Sequence, residues 1–420
     1  MVRPQTPMGV DRPRLRCMER SRLRRLGAVL TCLCAIATTM VAAPAHAAGP
    51  GGPCALPRSQ AHHSEGLDTW NSEYPRPVGR LDAVMVFLSF PDSKPFVTPD
   101  RLTADHFPGT SRFFERASYG RFSLRVHSLK RWFQMPRPSG EYHIQRDWDG
   151  EQRSAYLRDA IAAVDKSVDF RRYHLVYLVA DPDAPGVDSD ATKVVNLDEP
   201  VRVDGTELRR VVTVFEHHPP DRNVLAHETG HVLDLPDLYH RPTDGKGDWD
   251  THVGDWDLMG SQFGLASDPF GWHKWKLGWL APRQVDCVNA QGASAHTLLP
   301  IEAPMRPGVD ARTRLLVVRT GANSVVAVEA RGASGNDSAT CTEGVLVYRV
   351  RSDTASGAGP IQVLDGHPGG HACWGESVYP PLADAPLGVG ESLNAVSDGV
   401  RVEVRGRAPN GAWRVRVTRG

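Results

Sequence analysis

Apolar runs of strand length recur through the first two thirds of the chain. They lie at residues 81–90, 173–180 and 210–215, and each run predicts a strand. The run at 81–90, LDAVMVFLSF, is almost wholly apolar, which is typical of a central strand buried on both faces. Residues 121–130 instead alternate apolar and polar side chains, and this pattern predicts a strand with one exposed face.

Between these runs, apolar residues recur at helical spacing. Helices are predicted over residues 110–118, 151–167 and 269–277, and a further helix is predicted to begin near Asp221 or Arg222. Helices interspersed with strands in this way indicate an α+β domain, which we expect over residues 80–281.

From residue 282 onward, the pattern changes to short β-branched runs separated by Gly, Pro and Asp. The runs lie at residues 314–319, 325–329, 344–350, 400–404 and 413–417. Short strands with frequent turn residues are typical of an antiparallel β-sandwich. We therefore predict an all-β, sandwich-like C-terminal domain over residues 282–420.

The N-terminus has the pattern of an export signal. Four basic residues precede an apolar stretch at 26–43, and Ala45-His46-Ala47 matches a small-x-small cleavage site. A membrane anchor is the alternative, but Pro44 and the cleavage pattern disfavour it. We predict a signal peptide at 1–47, an extended lead-in segment at 48–79, and a secreted, extracellular protein without stable membrane insertion.

The charge distribution excludes some partners. The 420 residues contain 49 basic and 49 acidic side chains, so the formal net charge is zero. Residues 1–47 hold eight arginines against Asp11 and Glu19, a balance of +6, which leaves the remainder at −6. A mildly acidic mature chain gives no reason to expect nucleic acid or an anionic membrane as a partner.

Cysteine usage is consistent with export. Three of the seven cysteines fall in the predicted signal peptide, and four remain at Cys54, Cys287, Cys341 and Cys373. An even number in an exported protein indicates two disulfides, for which three pairings exist. We favour Cys341–Cys373, which leaves Cys54–Cys287. A competing hypothesis is that Cys54 masks a metal as a latency device, but this would leave an odd thiol.

The chemistry is concentrated in the sequence AHETGHVLDLPDLY at residues 226–239. On a helix, His227 and His231 share one face, so that both imidazoles can bind a single Zn²⁺. Glu228 beside them would act as general base toward a water molecule. Pro236 ends the helix. The alternative interpretation is a solvated helix face that carries two histidines.

The third zinc ligand is less well defined by the sequence. Asp237 follows the turn ten residues after His227, and we favour it as the ligand. The remaining candidates are Asp234, Asp255, Asp257 and His240.

A second metal is conceivable in an acidic loop at residues 181–190. Its carboxylates are Asp181, Asp183, Asp188 and Asp190, and they could bind Ca²⁺ through oxygen. The loop follows no fixed calcium-binding pattern, so a solvated loop is the favoured interpretation.

Several ordered segments resemble the immune inhibitor A family of secreted bacterial metalloproteases. The segments are 84–92, Phe113-Phe114, SYGRFS at 118–123, 173–179, the HExxH stretch with LPDLY at 235–239, VGDWDLM at 253–259, 274–279 and 344–348. The resemblance covers roughly residues 80–350. It implies a zincin-type catalytic domain, in which a mixed sheet lies above an active-site helix with the substrate cleft between them.

The resemblance also implies a function and several residue roles. It implies zinc-dependent endopeptidase activity on proteins or peptides, and it makes Met259 a candidate Met-turn residue, although ordinary core packing would also explain a methionine there. The family usually has Gly where this chain has Asp234, at the point where the chain leaves the helix. Glycine suits a left-handed turn because it lacks a Cβ.

Further expectations concern the substrate. We expect it to bind in extended form along an edge strand at 210–215, with Tyr239 as a possible oxyanion donor. The alternative function is an exported binding or adhesion protein on a catalytically decayed protease scaffold. The sequence does not specify the oligomeric state.

Overall fold

A computed structural model describes residues 52–242, 246–305 and 312–420. The predicted signal peptide at 1–47 and the first residues of the lead-in segment lie outside the described residues. Within the described part of the chain, no helix is long and apolar enough to cross a membrane.

The N-terminal half contains one five-stranded sheet. Its strands are β1 (Gly79–Ser89), β2 (Phe122–Gln134), β3 (Leu175–Ala180), β4 (Lys193–Val203) and β5 (Thr206–Val214). Their order is β2-β1-β3-β5-β4. The first four strands in this order run parallel, whereas β4 pairs antiparallel with β5 and forms the edge of the sheet.

The apolar runs form the central strands because both faces of the sheet are covered. Along β1, Met85 and Phe87 belong to the core on one face, and Val86 and Leu88 to the core on the other. The predicted strands at 81–90, 121–130 and 173–180 therefore correspond to β1, β2 and β3.

Six helices accompany the sheets in the described residues. They are α1 (Pro99–His106), α2 (Gly109–Ala117), α3 (Gly150–Val164), α4 (Val224–Val232), α5 (Gly271–Lys276) and α6 (Pro380–Ala383). Helix α3, capped by Asp149, packs on one face of the sheet. Helices α1, α2, α4 and α5 contribute to the core on the other face.

The C-terminal half contains two further sheets. Their strands are β6 (Val285–Val288), β7 (Gly292–Leu298), β8 (Leu315–Arg319), β9 (Ser324–Arg331), β10 (Gly344–Arg351), β11 (Ile361–Val363), β12 (Ser392–Ala395), β13 (Val400–Arg407) and β14 (Trp413–Arg419). One sheet has the order β11-β10-β9-β8-β6 and the other β12-β13-β14-β7. All neighbours are antiparallel except the parallel pair β6 and β8.

The β11-β10-β9-β8-β6 sheet is buried on both faces. Leu316 and Val318 share a core with Val402 and Val417 of the other C-terminal sheet. Alternate residues such as Val317 point the opposite way, into the core that contains helices α4 and α5. One hydrophobic core thus extends across the predicted boundary between residues 281 and 282.

Two disulfides join the pairs that the sequence favoured. Cys54 bonds to Cys287 with 5.7 Å between their Cα atoms, and Cys341 bonds to Cys373 with 5.9 Å. The hypothesis that Cys54 masks a metal as a free thiol is therefore wrong. The first bond ties the lead-in segment to strand β6.

The predicted fold was an α+β domain followed by an all-β domain, and its coarse part is confirmed, since the described residues form a mixed α/β structure with sheets and few helices. Several elements were missed, namely helices α1 and α6 and strands β4, β6, β7, β11 and β12. The missed strand β4 matters for function, because the predicted edge strand at 210–215 corresponds to β5. That strand lies inside the sheet between β3 and β4, so this prediction was wrong.

Candidate metal centre

Helix α4 carries the two histidines of the HExxH sequence and lies entirely within the protein. All its residues are buried, and it begins at Val224, slightly later than predicted. The four-residue spacing brings the imidazole rings of His227 and His231 to 4.9 Å between centroids. The histidines therefore point from one helix face into the same space.

The chain leaves α4 through a left-handed residue. Asp234 has a φ of +68°. Its amide N–H donates to the carbonyl oxygen of His231 at 3.1 Å, and the amide of Leu235 donates to that of Gly230 at 3.0 Å. This pair of bonds is the Schellman pattern that commonly ends helices. It turns the chain back so that Asp237 faces the histidines.

Three ligand atoms converge beyond this turn. Asp237 Oδ1 lies 3.3 Å from His227 Nε2 and 3.0 Å from His231 Nε2. Within the described residues, these three side chains form the group of potential ligands whose atoms all lie within 4.8 Å of one another. The structure thus brings together the three residues that the sequence predicted as ligands.

Hydrogen bonds on the far side of each ring fix which nitrogen faces the centre. His227 Nδ1 lies 2.9 Å from the carbonyl oxygen of Leu258, and His231 Nδ1 lies 2.8 Å from that of Leu235. A carbonyl oxygen can only accept, so each Nδ1 must carry a hydrogen. In a neutral imidazole, Nε2 then presents its lone pair. Such backbone contacts commonly orient metal-binding histidines.

The donor set fits a cation. When both rings are neutral, two Nε2 lone pairs and the carboxylate oxygen Oδ1 of Asp237 face one another. Burial lowers the pKa of His231, but the charge and hydrogen bond of Asp237, together with the charge of Glu228, outweigh burial and raise this pKa to about 9. The histidines in turn hold the pKa of Asp237 well below its usual range against the effect of burial. Positive charge is thus strongly favoured here, and two imidazoles with one carboxylate suit Zn²⁺.

Glu228 lies between this group and the edge of the first sheet. Its Oε2 accepts a hydrogen bond of 2.6 Å from the amide of Val194 on strand β4. Burial raises the pKa of Glu228, while the neighbouring histidines partly oppose the increase. A buried carboxylate with a raised pKa has the properties of a general base.

Met259 lies directly against the motif helix. A Cβ added to Gly230 would come within 2.5 Å of the Met259 sulfur, so any larger residue there would require the Met259 side chain to move. The Met259 carbonyl accepts from the Leu238 amide at 2.9 Å, while its own amide donates to Asp257 Oδ1 at 2.8 Å. Met259 therefore supports both the helix and the turn that carries Asp237, in addition to its packing in the core.

Tyr239 borders the same space. Its ring lies 6.3 Å from the His227 ring in a stacked orientation and 5.7 Å from that of Trp249. Burial and the negative charges of Asp237 and Glu228 raise the pKa of its hydroxyl. The hydroxyl therefore stays protonated at neutral pH and can donate a hydrogen bond.

The alternative third ligands lie elsewhere. Asp255 accepts from the Leu265 amide at 3.1 Å. Asp257 accepts from Phe270 and contacts His273, and the ring of His240 lies against His252. Each of these candidates therefore contacts other residues, away from the point where His227, His231 and Asp237 converge.

Asp234 anchors the lead-in segment. Its carboxylate accepts a hydrogen bond from Arg58 and contacts His63 Nδ1 at 3.2 Å. Lys276 Nζ donates to the Asp234 carbonyl at 2.6 Å. The residue that stands in place of the expected glycine thus binds the N-terminal segment beside the centre.

Two cavities adjoin the ligands. One, of about 270 Å³, is bordered by His62, Asn196 of β4, Glu228 and Asp237. The other, of about 410 Å³, extends from Glu228 past Glu216 toward Phe263. The two cavities share Thr192 and Glu228 and so form one cleft, whose smaller part borders the start of edge strand β4.

The acidic loop at 181–190 has a different geometry. Asp181 accepts from Ser93 at 2.6 Å, Asp183 from the Phe96 amide at 3.0 Å, and Asp188 from the Asp190 amide at 3.0 Å. These described carboxylates do not converge into a group of three ligand atoms. Calcium binding stays a prediction without a matching geometry.

Sequence reasoning missed several residues around the centre. They are Arg58, His63, Val194 and Ser356, whose amide or side-chain contacts hold Asp234, Glu228 or Asp237. These residues are distant from the HExxH sequence along the chain, and only the tertiary fold brings them close to it.

No protein-family model and no curated protein matches the chain. The resemblance to the immune inhibitor A family stays a prediction that rests on the sequence segments.

Proposed function

We propose that this protein is a secreted zinc-dependent endopeptidase. The observation that carries the proposal is the convergence of His227, His231 and Asp237 on one point, with Glu228 beside them at the edge of a sheet. The sheet above helix α4 supports a zincin-type catalytic domain. The export pattern at 1–47 and the two disulfides support an extracellular location.

His227, His231 and Asp237 would hold the metal and leave a position open. When bound, Zn²⁺ supplies a Lewis acid that lowers the pKa of water from about 15.7 to near 7 and polarises a carbonyl. Glu228 would accept the proton of the attacking water and deliver it to the leaving amine. The raised pKa of Glu228 suits both transfers. The carboxylate takes up a proton more readily than an ordinary glutamate, and it can still give that proton to the amine.

The substrate would bind as an additional strand along β4. This strand pairs with β5 on one side only, and Lys193, Val194 and Asn196 border the cleft on the other. Main-chain pairing would present successive peptide bonds to Glu228, independently of most side chains. Tyr239 would donate to the developing oxyanion.

The test compares Glu228→Gln with the wild type on an unfolded protein substrate such as casein. We expect the variant to keep its fold and its zinc content and to lose hydrolysis, because an amide cannot accept the proton. Glu115→Gln, at an exposed position on α2, is the matched control and should remain active. Normal casein digestion by Glu228→Gln would refute the mechanism.

Chelation separates this function from the alternative. A wild-type protein that binds zinc and cleaves no protein substrate would favour the binding or adhesion function on a decayed scaffold. Hydrolysis that stops with chelator and returns with zinc would exclude it.

A further inference from the structure

A loop from the C-terminal half reaches the proposed zinc ligand Asp237. The loop, residues 352–360, connects β10 with β11 and contributes Ser356 and Gly357. Ser356 Oγ accepts a hydrogen bond of 2.8 Å from the Asp237 amide and lies 3.2 Å from Asp237 Oδ2, to which it can donate. The amide of Gly357 donates to the Asp237 carbonyl at 2.9 Å.

These contacts fix both the backbone and the side chain of Asp237. The amide and the carbonyl are each held, so the residue cannot rotate about its backbone without breaking a bond. The hydroxyl on Oδ2 fixes the plane of the carboxylate, and Oδ1 is thereby directed at His227 and His231. One carboxylate oxygen is thus left for the centre.

The 352–360 loop is itself held by the lead-in segment. The Ser356 amide donates to the His62 carbonyl at 3.1 Å. The Ser352 carbonyl accepts from the hydroxyls of Ser59 at 2.5 Å and Ser64 at 2.6 Å. These partners lie in the lead-in segment, almost 300 positions before the loop, so long-range contacts help to hold the loop in position.

The lead-in segment also holds the other end of the turn that carries Asp237. Arg58 and His63 contact the carboxylate of Asp234, three residues before Asp237. The Cys54–Cys287 disulfide fastens this segment to strand β6, in the same sheet as β10. The ligand turn is therefore held at Asp234 by the N-terminal segment and at Asp237 by the C-terminal half.

We infer that Ser356 is a positioning residue for the third metal ligand, so that the C-terminal half completes the metal centre. This inference rests on the proposed function, since it concerns the affinity of the same centre. Hydrogen-bonding partners of metal ligands typically change metal affinity by roughly 10- to 100-fold when they are removed. Ser356 borders the smaller cavity, but its hydroxyl contacts Asp237, and we infer that it acts on the centre through that residue.

The test measures zinc affinity in full-length protein by competition with a chelating dye. Ser356→Ala should weaken zinc binding roughly 10- to 100-fold. Ser356→Thr keeps the hydroxyl and should restore most of the affinity. Ser352→Ala is the matched control, because the Ser352 hydroxyl is buried without a described partner and alanine keeps the carbonyl that binds the lead-in segment. It should leave affinity within about twofold.

A second cycle distinguishes positioning from a general structural effect. In an Asp237→Ala background, Ser356→Ala should change zinc affinity by less than about twofold, because the group it positions is gone. An equal loss in both backgrounds would show a structural role and overturn the inference, as would unchanged affinity in Ser356→Ala. Urea unfolding of each metal-free variant checks that the fold is retained.

The outcomes also separate this inference from the proposed function. Unchanged zinc affinity in Ser356→Ala, with hydrolysis still dependent on Glu228, would overturn the inference and leave the function intact. Weakened affinity in Ser356→Ala together with a wild type that cleaves no protein would support the positioning role and refute the peptidase. A wild type that does not bind zinc would overturn both.

Discussion

Asp234 occupies a conformation that favours glycine, and replacing it with glycine tests why the aspartate is there. The left-handed φ of +68° disfavours any residue with a Cβ. On backbone preference alone, Asp234→Gly should stabilise the protein. The contacts of the carboxylate predict the opposite, so the sign of the change in unfolding free energy decides between the two.

The magnitude follows from the contacts of the carboxylate. Glycine relieves about 1 kcal/mol of left-handed strain. Removing one partner from a buried charged group costs about 3–5 kcal/mol. Arg58 is partly exposed, and Lys276 keeps Glu65 at 3.9 Å, so the lower end applies. The net local destabilisation is then about 2 kcal/mol, or roughly 30-fold in an opening equilibrium.

Hydrogen exchange is the suitable assay because the change is local. The lead-in amides of Ser64 and Leu67 are hydrogen-bonded within that segment and should exchange roughly 30-fold faster in Asp234→Gly. Amides in helix α3, on the other face of the sheet, serve as the internal control. Asn at position 234 tolerates the left-handed conformation but lacks the charge. The exchange rates in Asp234→Asn should therefore lie between those of the wild type and of Asp234→Gly. Exchange that is unchanged or slower in Asp234→Gly would refute the reasoning.

Three further predictions concern the whole chain. Zinc removal by chelation should lower the free energy of unfolding, by about 4 kcal/mol if free zinc stood at a thousand times the Kd, and calorimetry with and without zinc measures this change. Burial lowers the pKa of His273, but Asp257 and Glu65 outweigh it and raise it to about 10 from 6.5. This stabilisation is complete below pH 6.5 and lost as the pH rises toward 10, so the urea midpoint should fall over that range in the wild type and much less in His273→Gln. Replacing Cys54 and Cys287 with serine opens a loop of 233 residues. Loop entropy predicts a loss of about 5 kcal/mol, and an unchanged urea midpoint would contradict it.

The local part of the centre could be read from the sequence. The spacing of His227 and His231 fixes their common helix face, and Pro236 fixes where the helix must stop. Asp237 could be favoured as the next carboxylate beyond the turn, because this argument needs only neighbouring residues. The same holds for the apolar strands β1 and β3, whose burial leaves a continuous apolar run.

The edge strand could not be read in this way. Strand β4 contains charged residues and Pro200, and Pro200 lies where the pairing of β4 with β5 is irregular, between Asn196 and Val201. Its pattern is therefore close to that of a loop. Helix α1 did carry a readable signal, since Thr98 caps it and Pro99 begins it.

The residues that hold the centre in place could not be predicted from the local sequence pattern. Ser356 lies 119 positions after Asp237, in a stretch of Ser, Gly and Ala that resembles any surface loop. Arg58 lies 176 positions before Asp234. Only the pairing of distant strands and the Cys54–Cys287 disulfide bring them together, and single-sequence patterns do not encode that pairing.

The sheet that is buried on both faces also bears on how the protein folds. One face of this sheet packs against helices of the N-terminal half, and the other packs against strands near the C-terminus. Both faces can therefore be buried only after nearly the whole chain has been synthesised. Contacts such as that between Ser59 and Ser352 span 293 positions, and closing such long loops slows folding. The candidate metal centre, in which Asp237 contacts Ser356, is therefore complete only after the chain has been synthesised at least as far as Ser356.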